Sequence, residues 1–64
     1  MRVQIDTARL IGALKTNARS RKVALTAEPL DIVQNDGRFI EDKINEGVGL
    51  DQIAEWLVDM NGGD

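Results

Sequence analysis

The sequence predicts a mostly α domain of about three short helices, over 7–19, 37–46 and 50–60, with α+β as the variant if short strands form at 2–5 and 22–26. Three observations carry this. Apolar residues recur at helical spacing in Leu10, Ile11, Leu14 and Ala18, and again in Leu50, Ile53, Ala54 and Leu57. Gly47 and Gly49 punctuate the chain between two helical stretches. A length of 64 residues with no cysteine holds one small core, read here as a single domain over 1–60 with a frayed tail at 61–64.

Taken in order, Arg2-Val3-Gln4-Ile5 alternates polar and apolar, as a short strand with Val3 and Ile5 inward would. Asp6 or Thr7 then offers an N-cap for the first helix. Arg21 to Thr26 returns to period two, with Val23 and Leu25 on one face. A strand there would most simply pair with 2–5, in parallel because a single helix joins them. Lone parallel pairs are uncommon, so pairing across a dimer is the other solution.

Residues 27–40 leave several readings open. Leu30, Val33, Gly37, Ile40 and Ile44 follow a seven-residue pattern, and Pro29 suits a helix's first turn. Against one long helix stands Asn35-Asp36-Gly37, a turn signal that could also make a hairpin between Ile32-Val33-Gln34 and Arg38-Phe39-Ile40. The favoured reading breaks the chain near 35–37, with Asn35 or Asp36 capping a helix that runs to Glu46. Gly47 then stops it in the left-handed C′ position. Val48 and Ile53 bracket Gly49 as a hydrophobic staple around an N-cap, which starts the last helix.

Composition narrows the function classes. Twenty large apolar residues, Met1 aside, supply roughly 1.5–3 kcal/mol each on full burial, set against an ordering cost of comparable total. Small domains without staples often close that gap by oligomerising, so a homodimer is expected. No histidine, cysteine or tyrosine is present and Ser20 is the only serine, which removes the commonest general base and the standard nucleophilic triads. An enzyme is not expected, nor a metal site, a cofactor or a small-molecule substrate. Asp31 to Asp42 fails as a calcium loop because Val33 takes a ligand position and Gly37 comes one place late. No segment approaches the roughly 20 apolar residues of a membrane span, and no signal-peptide core opens the chain. A cytoplasmic protein is expected.

Charge is divided along the chain. Residues 1–26 hold Arg2, Arg9, Lys15, Arg19, Arg21 and Lys22 against Asp6, a net +5, whereas residues 27–64 hold two basic against ten acidic side chains, a net −8. Such asymmetry suits a basic surface for phosphates, an acidic surface for a basic partner, or two halves that attract each other. Lys15, Arg19, Arg21 and Lys22 are the candidate nucleic-acid contacts.

The helix over 50–60 is apolar around roughly 200° of its circumference, wider than the stripe of about 100° that one small core requires. Either it is central or part of it meets a partner. Centrality is hard to arrange for the last element of a short chain, so Leu50, Ile53, Trp56, Leu57 and Met60 are expected to form a partner interface. Asp51, Glu55 and Asp59 repeat every four residues on the opposite face. They form either a solvated face or an acidic stripe for a basic partner.

The run from Ile40 to Leu57 resembles the opening of helix-turn-helix DNA-binding domains, with a helix ending in Gly47 and then a capped helix reading Gln52-Ile53-Ala54-Glu55-Trp56-Leu57. The resemblance covers eighteen residues. It implies a recognition helix directly after Leu57, which the 64 residues do not contain, and no function is carried over from it. The expectation is therefore a small protein-interaction module (adaptor, inhibitor or regulatory subunit) that self-associates through its last helix. The alternative is a nucleic-acid-binding regulator using 15–22.

Overall fold

The computed structural model describes residues 6–63. Within them run α1 (Thr7–Arg21), β1 (Ala24–Leu25), α2 (Pro29–Asn35), α3 (Gly37–Asn45), α4 (Leu50–Asn61) and β2 (Gly62–Gly63). The mostly helical expectation holds, with one helix more than expected. The strand expected at 2–5 lies outside the described residues.

α1 starts where its sequence offers a cap: Asp6 Oδ1 accepts the Arg9 N–H at 3.1 Å. It ends two residues later than expected, at Arg21, with Lys22 as its C-cap. That residue takes the left-handed conformation, φ 57°, and its N–H reaches the Ala18 and Arg19 carbonyls. Arg19 and Arg21 occupy the last turn, where positive charge complements the helix's negative end.

The open stretch at 27–40 resolves as two helices sharing one joint. Pro29 opens α2, where its missing N–H costs nothing. The Asp36 N–H bonds to the Ile32 carbonyl at 2.9 Å while its own carbonyl accepts the Ile40 N–H at 3.0 Å. Asp36 is thus the last cap of α2 and the first of α3. Its side chain does not cap α3, as had been expected of it or Asn35; it accepts a hydrogen bond from Asn61 Nδ2 at 3.2 Å instead. α3 stops at Gly47, φ +87°, with Gly47 N–H on the Ile44 carbonyl and Val48 N–H on the Lys43 carbonyl, both at 3.0 Å. Those two bonds make a Schellman stop. Gly49 caps α4, its carbonyl accepting the Ile53 N–H at 3.1 Å, and Val48 packs on the core that contains Ile53.

Two expectations about the strands are corrected together. β1 keeps only two residues of 22–26, and it pairs with β2 in antiparallel register, Ala24 opposite Gly63 and Leu25 opposite Gly62. The segment read as a frayed tail is therefore tied down through Gly63. Thr26 secures the junction, its N–H and its hydroxyl both donating to the Asn61 carbonyl, at 2.9 and 3.0 Å. Gly62 permits this approach: a Cβ there would sit 2.7 Å from Val23 Cγ1 and 2.8 Å from the Val58 carbonyl oxygen.

The core is built around α4. Ile53, Ala54, Leu57 and Val58 have no exposed surface, and Leu10, Leu14 and Ala18 of α1, Ile32 and Val33 of α2, and Ile40 of α3 complete the cluster. α1 is the main neighbour of α4, and α3 flanks it too. The last helix is central after all, because two flanks of its wide apolar arc are covered within the chain. No helix among the described residues is long and apolar enough to cross a membrane.

Candidate protein-interaction surface

α3 and α4 run side by side in opposite directions, joined by the short turn at 46–49. Asn61 Nδ2, at the end of α4, bonds both the Leu57 carbonyl at 2.9 Å and Asp36 Oδ2 at the start of α3. Along this seam Phe39 and Lys43 stand one turn apart on α3, and Trp56 and Met60 one turn apart on α4. The Phe39 and Trp56 rings meet edge to face, centroids 6.3 Å apart at 66°. Lys43 Nζ lies 5.6 Å from the Phe39 centroid and 5.5 Å from the Trp56 centroid, within cation–π range of both.

These four residues and Asp59 line an open groove of about 360 Å³. Its apolar character is not matched by burial, since Met60 remains 54% exposed. Both charges on the groove have partners inside the chain. Lys43 Nζ donates to Glu46 Oε2 at 3.4 Å, and Asp59 Oδ1 accepts from Arg21 Nη2.

The five expected interface residues divide. Ile53 and Leu57 are fully buried in the chain's own core and present no contact surface, and Leu50, partly buried against it, does not line the groove. Trp56 and Met60 remain. Phe39 and Lys43 were missed as site residues, although their spacing of four on a helix would have placed them together once 37–46 was accepted as helical.

Asp51, Glu55 and Asp59 are all exposed, as a stripe should be. Asp59, however, meets a cation of α1. Arg21 reaches across to α4, Nη2 to Asp59, and Nη1 to the Glu55 carbonyl at 3.4 Å and to Asn17 Oδ1 at 3.3 Å. At the other end Asp51 and Arg9 share a shallow depression. The acidic stripe and the basic helix are neighbours, and their fields partly cancel.

The basic segment is divided by the same contact. Lys15 and Arg19 stand one turn apart on α1 and Lys22 follows at its C-cap, all exposed, with no acidic partner within 4 Å among the described residues. Arg21 turns away from them toward α4. A second open depression runs along α1, lined by Arg9, Gly12, Ala13, Thr16, Asn17, Ser20 and Asp51, and it is where the lone serine lies. Compared with protein-family models, curated proteins and solved structures, the chain matches none.

Proposed function

We propose that this chain is a small non-catalytic protein-interaction module, acting in the cytoplasm as an adaptor, inhibitor or regulatory subunit, and that its contact surface is the α3–α4 groove. The observation that carries the reading is the exposed Met60 beside an aromatic pair whose neighbouring charges are already partnered. Half-buried aromatic side chains beside an exposed Met are of the kind that protein interfaces concentrate. The non-catalytic part is supported by composition: without histidine, cysteine or tyrosine, the commonest general base and the standard nucleophilic triads cannot be assembled.

The test is capture with a matched variant. The immobilised chain is expected to retain a partner, a copy of itself or another protein, and the Met60→Asp chain to lose it with its circular dichroism unchanged. Capture that survives both Met60→Asp and Trp56→Ala would remove the groove from the function.

A nucleic-acid-binding regulator is the second reading, favoured by Lys15, Arg19 and Lys22 along the C-terminal part of α1 and its cap, which have no acidic partner among the described residues. It works against a net charge of −3. Salt-dependent binding to mixed-sequence DNA or RNA, lost when those three charges are reversed, would establish it.

A further inference from the structure

We infer that the occupant of the α3–α4 groove is a second copy of this chain, docked about a two-fold axis that passes between Lys43 and Asp59. The inference rests on the groove being a protein-contact surface, and it names the partner.

The groove carries one charge of each sign: Lys43, whose Nζ sits over the Phe39 and Trp56 rings, and Asp59, which lines it beside Met60. A two-fold rotation about an axis between these two charges exchanges them. It brings Lys43 of each protomer to Asp59 of the other and lays each Met60 against the opposite rings. This is the self-complementarity that an isologous contact requires, since the same patch must serve both subunits.

Both charges have capacity left for a cross-chain bond. The Lys43 ammonium has three N–H donors and gives one to Glu46, while Asp59 engages Arg21 through Oδ1 alone, leaving Oδ2 without a partner among the described residues. The new bond would link the Arg21–Asp59 pair of one protomer to the Lys43–Glu46 pair of the other, a chain of four charges. A uniformly basic peptide would be repelled by Lys43, which already sits over both rings, and a uniformly acidic one by Asp59. Of these candidates, the second copy satisfies both charges.

The contact is small. A standard interface takes about 800 Å² from each partner, roughly a sixth of the 4515 Å² this chain exposes, and five groove residues supply less than that. A weak dimer is expected, with a Kd of micromolar order or above.

Sedimentation equilibrium over a range of roughly 10 μM to 1 mM, spanning weak dimers, tests this. The wild-type mass is expected to rise from one chain toward two. Lys43→Glu alone and Asp59→Lys alone each place like charges across both cross contacts and are expected to raise Kd at least tenfold. Mixing those two variants pairs Glu with Lys on one side and Asp59 with Lys43 on the other, so heterodimers are expected to return. Met60→Asp, which touches neither ion pair, is expected to stay at one chain, with circular dichroism confirming each fold. A wild type that remains at one chain throughout overturns the second copy; if Met60→Asp still abolishes capture of another protein, the interaction reading stands without it, and if not, both fall. A dimer that ignores the charge changes, or a mixture that stays apart, overturns the two-fold geometry.

Discussion

Arg21 on α1 and Asp59 on α4 form an ion pair across 38 residues of sequence, and the same guanidinium donates to the Glu55 carbonyl. The pair joins the end of the basic segment to the end of the acidic stripe. Both side chains are about half exposed, 38% and 49%, so water screens the interaction. Arg21→Ala is expected to lower unfolding free energy by only about 0.2–1 kcal/mol, less at high salt. Urea denaturation at two ionic strengths measures this. A salt-independent loss above about 2 kcal/mol would mean that packing of the Arg21 stem, not its charge, holds the seam.

Leu57 gives the opposite case. It is fully buried between the helices, and truncating such a side chain removes both transfer energy and packing. Leu57→Ala is expected to cost about 2–5 kcal/mol, a large share of what so small a domain possesses. Thermal melting by circular dichroism should show a much lower midpoint or no folded baseline. A small change would contradict the central placement of α4.

Two glycines separate a backbone penalty from a steric one. Gly47 has open space around its α-carbon but φ +87°, so Gly47→Ala is expected to cost about 1–2 kcal/mol from conformation alone. Gly62→Ala would press a methyl group on the Val58 carbonyl and on Val23, which costs about 1–3 kcal/mol and strains the β1–β2 pairing. Amide exchange at Thr26, whose N–H bonds Asn61, is expected to speed up locally in Gly62→Ala and to follow global stability in Gly47→Ala. The reverse pattern would contradict the described ribbon.

Local signals were legible where one residue decides the structure. Asp6, Pro29, Gly47 and Gly49 each mark a helix end, and each is found doing so. What escaped the sequence depends on distant partners. The Gly62-Gly63 pair looks like a fray by composition, and only the neighbouring Val23 and Ala24 turn it into a strand. The wide apolar arc of α4 was read as an interface because the sequence does not show that α1 and α3 cover two sides of it. At the candidate surface, Trp56 and Met60 were legible from helical spacing, but Phe39 and Lys43 required α3 to be fixed first.

The row of Lys15, Arg19 and Lys22 makes a quantitative expectation for nucleic acid. Three phosphate contacts would give a log–log salt slope of about −0.9 for each contact on duplex DNA, near −3 in all. Any binding seen at low salt is expected to follow that slope and to vanish when the three charges are reversed. Binding that persists near physiological salt with a steeper slope would show a larger basic surface than these three residues supply.

Met60 and Leu30 are the two large apolar side chains most exposed among the described residues, at 54% and 49%, and only Met60 lines the groove. The most direct measurement is therefore the molar mass, at matched concentrations, of the wild type, Met60→Asp and Leu30→Asp, with circular dichroism beside it. Association in the wild type and in Leu30→Asp, with its loss in a folded Met60→Asp, is the predicted result. Association that survives Met60→Asp, or that disappears only in Leu30→Asp, would contradict the α3–α4 groove as the contact surface.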